Sequence, residues 1–215
     1  LPRESGLVID LPAPVAQHVA VLRLATGDSL ALFDGSGGEL AATLVAVGKR
    51  TASARVDHHN PVERESPCAV TLVQALATGD KMDLIVQKAV ELGVTAIRPV
   101  STQRATVKLS AERALVRRDH WQAVAIAACE QCGRNRVPVI HPVVPFEAWL
   151  AADSEALRAL LHPAGKDGVS TLVAAGRALE IAVGPEGGFD DRELQAAADA
   201  GVTAVRAGPR VLRTE

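Results

Sequence analysis

The sequence predicts an α/β protein with a small all-β region at its N-terminus. Short segments that alternate apolar and polar residues fill positions 1–68, as half-buried strands do. From residue 69 onward, apolar strand-like runs alternate with segments of helical spacing, which is typical of α/β domains. A polar, proline-bearing stretch at 58–67 separates the two patterns and is the best domain boundary. We therefore expect a compact β-barrel over residues 1–68 and an α/β domain over residues 69–215.

The N-terminal region is predicted from strands that surround one small helix. Residues 29–33 and 39–47 alternate along the chain as strands with one buried face should. Apolar residues at helical spacing predict a helix over residues 15–24. His58 and His59 fall in the polar boundary stretch, and we expect them in a solvated turn.

The second region begins with a continuous apolar run over residues 69–76, as in a parallel strand that is covered on both faces. A helix is predicted over 81–92, and Gly93 should end it. The buried face of this helix is predicted to consist of Met82, Ile85, Val86, Ala89 and Val90. Further strands are expected at 95–100, 137–140, 157–161, 181–183 and 202–205, and further helices at 113–129 and 172–177.

Composition excludes several classes of function. The formal net charge is −2, so the chain is not a polycation that binds nucleic acid indiscriminately, and RNA contact needs a local basic patch. No apolar run approaches the length of about 20 residues that a membrane span needs. Three cysteines, an odd number, argue against a disulfide framework and indicate a reducing cytoplasm.

A glycine-rich turn near the end of the chain is the most informative local feature. The apolar run 181–183 breaks into Gly184-Pro185-Glu186-Gly187-Gly188, after which Asp190 and Asp191 open a helical pattern. A strand that ends in a glycine loop before a helix allows backbone groups to approach a ligand closely. Taken alone, the stretch is equally compatible with an ordinary strand-to-helix turn.

Cys129 and Cys132 have the spacing of half a zinc site or of a redox pair. A structural zinc needs two more ligands, and the sequence has no second cysteine pair. A redox cysteine is expected at a helix N-terminus, whereas about a dozen helical residues precede Cys129. We therefore predict packing cysteines and no metal site.

Basic residues gather in the loops that follow predicted strands and helices of the second region. Such loops form the ligand crevice of α/β sheets, and the arginine fork suits phosphate groups or planar bases. For any single arginine a solvated surface position is the more common explanation. The residues concerned are Arg98, Arg104, Lys108, Arg134, Arg136, Arg210 and Arg213.

An ordered series of motifs covers nearly the whole chain. The first motifs of the second region are Lys81-Met82, Gln87-Lys88-Ala89, Glu91-Leu92-Gly93, Arg98-Pro99 followed by Ser101 to Arg104, and Trp121-Gln122. The central motif runs from Ala127 to Pro138 and contains Cys129-Glu130-Gln131-Cys132-Gly133-Arg134-Asn135-Arg136. The last motifs are Leu160-Leu161-His162-Pro163, Gly184-Pro185-Glu186-Gly187-Gly188-Phe189 and Gly208-Pro209-Arg210-Val211-Leu212-Arg213-Thr214-Glu215. Together they resemble the bacterial 16S ribosomal RNA uridine-N3 methyltransferases, the small subunit methyltransferase E family of the SPOUT class. Through His18, Val21-Leu22-Arg23-Leu24, Gly27-Asp28 and Leu32-Phe33-Asp34-Gly35, the first region resembles the PUA-like RNA-binding barrel of that family.

The resemblance implies S-adenosyl-L-methionine as cofactor, bound in a deep trefoil knot, and a homodimer. Composition and periodicity could not have indicated a knot, because knots are rare exceptions to normal chain topology. Residue by residue, the cofactor would be held by Leu161, His162, Pro163, Gly184, Pro185, Glu186, Gly187, Gly188, Ala207, Gly208, Arg210, Val211, Leu212 and Thr214. Most of these contacts would come from backbone groups, with Val211 and Leu212 packing on the adenine.

The implied partner is 16S ribosomal RNA within the small ribosomal subunit. RNA contacts are assigned to Arg3, His18, Arg23, Arg104, Lys108, Gln131, Arg134 and Arg136. The family pattern also implies an aromatic pair soon after Pro2-Arg3 and a further helix after Glu215 that contributes to the knot and to the dimer. The printed sequence contains neither this aromatic pair nor this further helix.

The reaction requires loss of the uridine N3 proton and a methyl group in line with N3. We expect Arg104, Arg134 or Arg213 to stabilise the developing uridinate, because arginine stays protonated and cannot serve as the base. Glu186 is the candidate for an orienting or proton-accepting carboxylate. Two alternatives stay open: a SPOUT methyltransferase for transfer RNA or for the large ribosomal subunit, and a non-catalytic RNA-binding or assembly protein of the same fold.

Overall fold

The computed structural model describes residues 1, 4–173 and 177–215, which form two compact units. The first unit contains Leu1–Arg64 together with Gly133–Arg136, and the second contains Glu65–Cys132 and Val137–Glu215. The main segment of the first unit therefore ends inside the predicted boundary stretch 58–67. None of the helices in the described ranges is long and apolar enough to cross a membrane.

The first unit is a four-stranded antiparallel sheet with one helix. Its elements are β1 (Val8–Asp10), α1 (Ala13–Val21), β2 (Ser29–Leu32), β3 (Glu39–Val47) and β4 (Ala52–Asn60), and the sheet order is β1-β4-β3-β2. The helix packs its buried face, which includes Val19, with Leu40, Leu44 and Val56 in an aliphatic core. The predicted all-β character of this region is confirmed.

The prediction for His58 and His59 is wrong. Both residues lie in β4, where Leu40 and Ala41 of β3 pair with them. The strand continues through this polar stretch because cross-strand pairing with β3 persists, although the alternation of apolar residues does not. His59 packs so closely on the neighbouring hairpin that a Cβ at Gly38 would lie 2.6 Å from its Nε2.

The segment Gly133–Arg136 is bonded into the first unit, although it follows a helix of the second unit in sequence. The Asn135 side-chain amide donates to the carbonyl oxygen of Val62 over 2.6 Å, and the Asn135 carbonyl accepts from Gly37 N–H over 3.2 Å. Arg136 forms a two-pronged ion pair with Glu63 through Nε and Nη2, at 2.9 and 3.1 Å. The segment thus belongs to the packing of the first unit.

The second unit is built on a parallel sheet of eight strands. The strands are β5 (Val70–Ala75), β6 (Ala96–Ser101), β7 (Val139–Ile140), β8 (Val144–Pro145), β9 (Leu157–Leu161), β10 (Asp167–Gly168), β11 (Leu179–Val183) and β12 (Thr203–Arg206). Their order is β10-β12-β9-β11-β5-β6-β7, with β8 paired to β6. The predicted α/β architecture with a parallel sheet is confirmed.

The helices of the second unit are α2 (Lys81–Glu91), α3 (Ala111–Cys132), α4 (Phe146–Ala151), α5 (Ser170–Val173) and α6 (Asp191–Asp199). Helix α2 buries the five residues predicted from its spacing, and Gly93 ends it with a φ of 93°. Asp190 caps α6 by accepting from Glu193 N–H, while Glu193 accepts from Asp190 N–H. The predicted helix over 172–177 lies partly outside the described residues.

Candidate active site

A cavity of about 590 Å³ lies at the edge of the parallel sheet where the strands end. The carboxyl ends of parallel strands share one edge, so the loops that follow β9, β11 and β12 meet there. The residues that line the cavity are Lys81, Arg104, Leu161, His162, Pro163, Val183, Gly184, Pro185, Glu186, Gly187, Gly188, Phe189, Arg206, Ala207, Arg210, Val211, Leu212, Arg213, Thr214 and Glu215.

The first loop turns sharply after β9 and packs on β12. His162 N–H donates to the carbonyl oxygen of Val205, and Gly165 N–H donates back to the carbonyl oxygen of His162, both over 2.9 Å. A Cβ at Gly165 would lie 2.5 Å from the Val205 carbonyl carbon. Only glycine therefore allows this loop to lie against β12.

The second loop is the glycine turn between β11 and α6. Gly188 N–H donates to the carbonyl oxygen of Pro185 over 2.8 Å, and Gly188 adopts a φ of 69° that favours glycine. Phe189 then enters the core, where its ring centroid lies 4.9 Å from that of Phe146. The turn is thus anchored in the core at its helical end, while its glycines face the cavity.

Glu186 connects this turn to the start of α2. Its Oε1 accepts from Thr78 Oγ1 over 2.6 Å and from Thr78 N–H over 3.1 Å, and it pairs with Lys81 Nζ over 3.1 Å. The hydrogen bond from the Thr78 hydroxyl is the largest of the causes that lower the pKa of Glu186 to about 2. The same ion pair raises the pKa of Lys81. At neutral pH Glu186 is therefore an ionised carboxylate that is well suited to orient the turn and poorly suited to accept a proton.

Arg104 fastens the other side of the turn. Its Nη1 donates to the carbonyl oxygens of Phe189, over 3.0 Å, and Gly187, over 3.3 Å. A Cβ at Gly187 would lie 3.2 Å from the Cβ of Arg104, so the absence of a side chain permits this close approach.

The third loop, after β12, is tied to the second by Thr214. Its hydroxyl donates to the carbonyl oxygen of Gly184 over 2.6 Å and accepts from Nε2 of the buried Gln74 over 3.1 Å. Glu215 lies 3.6 Å from Lys81 Nζ and 3.7 Å from Arg213 Nη1. Hydrogen bonds and charges thus join the start of α2, the glycine turn and residues 213–215 around one cavity.

The cavity brings together most of the residues assigned to the cofactor from the sequence. Of that set, Gly208 is the one that does not line it. Arg104 and Arg213 also line the cavity, whereas Arg134 is buried in the first unit. Val211 and Leu212 are exposed, so their apolar surfaces are available to a ligand.

The residues assigned to RNA are divided between the two units. The first unit holds His18, Arg23, Arg134 and Arg136, the second holds Arg104, Lys108 and Gln131, and Arg3 lies outside the described residues. Arg23 adopts a φ of 56°, a left-handed conformation that is unusual for a residue with a side chain. In the described part of the chain, no group of three or more His, Cys, Asp or Glu side chains is placed to hold a metal ion.

Five cavity residues were missed by sequence reasoning: Lys81, Val183, Phe189, Arg206 and Glu215. Val183 and Arg206 end parallel strands, so the rule that ligands bind at carboxyl edges could have identified them. Lys81 carries no such signal, because only the folded chain brings the start of α2 to Glu186 and Glu215.

Family models describe both parts of the sequence. An RNA methyltransferase domain matches residues 64–215, and an RNA methyltransferase PUA domain matches residues 11–57. The ribosomal RNA small subunit methyltransferase E of Bacillus subtilis is 32% identical over 206 residues, which cover 92% of this chain and 80% of the relative.

Solved structures resemble the whole chain. The Neisseria gonorrhoeae ribosomal RNA small subunit methyltransferase E bound to S-adenosyl methionine matches with a TM-score of 0.93 and 38% identity, covering 99% of this chain and 88% of that one. A Legionella pneumophila methyltransferase in complex with the same cofactor matches with a TM-score of 0.94 and 35% identity over the same shares. With an α/β unit and an N-terminal PUA domain that both match in sequence and in structure, the chain belongs to the ribosomal RNA small subunit methyltransferase E family.

Proposed function

We propose that this chain transfers a methyl group from S-adenosyl-L-methionine to N3 of a uridine in 16S ribosomal RNA of the small subunit. The observation that carries the proposal is the convergence of three strand-end loops on one cavity of about 590 Å³. Two structures that this chain resembles at 38% and 35% identity contain that cofactor. The trefoil knot, the homodimer and a cytoplasmic location, all implied by the sequence, belong to the same proposal.

The residues present fit this cofactor. Gly184, Gly187 and Gly188 line the cavity without side chains, so a ligand can approach the backbone of the second loop closely. The exposed Val211 and Leu212 offer an apolar surface of the kind that packs on a planar base. When bound, the cofactor supplies an electrophilic methyl group, and the chain's own residues must position and stabilise the reacting base.

Arg213 is the best candidate to stabilise the developing uridinate. Its side chain is 87% exposed at the cavity, and its contact with Glu215 is long, at 3.7 Å. A guanidinium in this position can approach a uridine oxygen and favour the charge that develops there. The main role of Arg104 is to hold the glycine turn in place through its hydrogen bonds. Its remaining N–H groups add positive potential at the same cavity.

Glu186 is assigned the orienting role rather than that of the base, because its pKa is lowered to about 2. Arg134 is not assigned to the chemistry, because its side chain is buried in the first unit and does not line the cavity.

The test is methyl transfer to small ribosomal subunits that lack the modification, followed by mass spectrometric mapping of the methylated base. We expect a single N3-methyluridine in 16S ribosomal RNA, and R213A should lower the single-turnover rate by about 100-fold, as loss of one transition-state donor does. R192A, on the exposed surface of α6, is the matched control. Methylation of transfer RNA or of the large subunit instead would contradict the substrate, and binding without methylation would favour an assembly protein.

A further inference from the structure

The charges around the cavity are unevenly neutralised. Among the described residues, five cationic side chains and two carboxylates line it. Lys81 is paired with Glu186 and Glu215, and Arg213 lies near Glu215. Arg104 donates to backbone carbonyl oxygens of the glycine turn.

Arg206 and Arg210 are the two remaining cations. Both side chains are exposed, and within the described ranges neither forms an ion pair or a side-chain hydrogen bond. The backbone of Arg206 is nevertheless fixed, since it ends β12, pairs with Gly168 and accepts from Val169 N–H over 3.1 Å. A fixed backbone that carries an unengaged guanidinium at a cavity is suited to binding an anion.

The proposed cofactor does not account for both arginines. It carries a sulfonium and an ammonium group against one carboxylate, so it is cationic overall and is repelled by additional positive charge. Its single carboxylate carries one negative charge, which balances the charge of one guanidinium. Two unpaired arginines fit a polyanion better, and a ribonucleic acid strand presents phosphates in succession.

We propose that the side chains of Arg206 and Arg210 bind phosphate groups of the RNA strand that carries the target nucleotide. The inference rests on the proposed function and extends it to Arg206, whose role the sequence did not indicate. Arg210 is also assigned to the cofactor, but most of the expected cofactor contacts come from backbone groups, so a phosphate contact of the Arg210 side chain is compatible with that role. Phosphate contacts hold the strand in register and do not distinguish between bases.

The experiment measures binding of small ribosomal subunits between about 50 and about 200 mM salt by the wild type, R206Q, R210Q and the double variant. Each lost phosphate contact should reduce the slope of log affinity against log salt by about 0.7–0.9, so the double variant should lose about twice as much. Across this range each contact corresponds to roughly a threefold change in affinity. R192Q, an exposed arginine of α6 that does not line the cavity, should keep the wild-type slope.

Calorimetry with S-adenosyl-L-methionine is the second measurement, and R206Q and R192Q should bind it at least as tightly as the wild type does. A wild-type salt slope in the double variant would overturn the inference. A loss of cofactor affinity with an unchanged slope would overturn it too, and would assign an arginine to the cofactor carboxylate. Failure of the wild type to bind small subunits would overturn the proposed substrate, and this inference with it. Binding by the wild type and R192Q, with an unchanged salt slope in the double variant, would overturn this inference alone.

Discussion

Glu186 is the single residue whose charge state most directly controls the glycine turn. In the folded chain its pKa is about 2, against 4.5 for the free side chain, because Thr78 and Lys81 stabilise the carboxylate. A pKa that is lower in the folded state means that the stabilisation is complete above about pH 4.5 and is lost as the pH falls toward 2.

We therefore predict that E186Q lowers the free energy of unfolding by about 1 kcal/mol at neutral pH. The effect is modest because the Glu186 side chain is partly exposed, so solvent screens its charge. The difference from the wild type should shrink when urea unfolding is repeated at about pH 3. E155Q, at an exposed glutamate of the loop between α4 and β9, serves as the control and should show a negligible difference at both pH values. A difference that stays constant down to about pH 3 would be inconsistent with this role for the carboxylate.

Thr214 is the second decisive residue, since one hydroxyl group joins the third loop to the second. T214V removes the donor to the Gly184 carbonyl oxygen and leaves Nε2 of the buried Gln74 without that acceptor. Gln74 keeps its bond to the Ala75 carbonyl oxygen, so the main loss is the tie between the second and third loops. Both loops line the cavity, and a lost hydrogen bond of about 1.4 kcal/mol corresponds to a fall of about 10-fold in cofactor affinity, which calorimetry measures. T171V removes a comparable hydroxyl-to-carbonyl bond away from the cavity and should leave the affinity unchanged.

Among the elements, the turn that follows β9 depends on one glycine. In G165A the new Cβ would lie 2.5 Å from backbone of Val205, and backbone cannot move aside as a flexible side chain can. We predict that G165A separates this turn from β12, lowers the melting temperature and weakens cofactor binding. The free energy of unfolding should fall by at least about 1–3 kcal/mol, the range that is typical of overpacking.

G168A is the matched control for G165A, because a Cβ at Gly168 meets nothing closer than Ser170 Oγ at 3.5 Å. Its melting temperature and cofactor affinity should match those of the wild type. Equal behaviour of the two alanine variants in thermal unfolding would show that the turn can relax without separating from β12.

Elements with a strong internal period were predictable, and those defined by distant partners were not. Helix α2 buries the five residues that its spacing indicated, because a period of 3.6 residues places them on one face. Strand β4 extends through His58 and His59 only because β3 pairs with it. Helix α4 was not predicted, because it is only six residues long and too short for a helical period to show, yet Pro145 at its N-cap is compatible with a helix start.

In the candidate site, too, the local features were predictable from the sequence and the long-range contacts were not. The loops after β9, β11 and β12 were predictable from glycines, prolines and the resemblance to a family, since each loop is local in sequence. The contacts of Glu186 with Thr78 and of Thr214 with Gln74 join residues that are 108 and 140 positions apart. Spacing within one sequence carries no signal for such pairs, and it also gave no indication that Asn135 would pack in the first unit.

For the whole molecule, the position of the cavity means that the cofactor should stabilise the second unit directly against unfolding. In the part of the chain that the structure describes, the residues that line the cavity belong to the second unit, and so do both tryptophans, Trp121 and Trp149. A ligand that binds only the folded state stabilises it by about 2.7 kcal/mol at 100 times its dissociation constant. Tryptophan fluorescence therefore reports the unfolding of the unit that would bind the cofactor.

We predict that saturating S-adenosyl-L-methionine raises the melting temperature seen by tryptophan fluorescence by about 5–10 °C, as this stabilisation implies for a chain of this size. T214V should show a smaller shift at the same cofactor concentration, because its affinity is lower, and T171V should respond like the wild type. If the first unit unfolds in a separate calorimetric transition, that transition should not move. A shift of equal size in T214V and the wild type at sub-saturating cofactor would instead show that Thr214 contributes nothing to the binding of the cofactor.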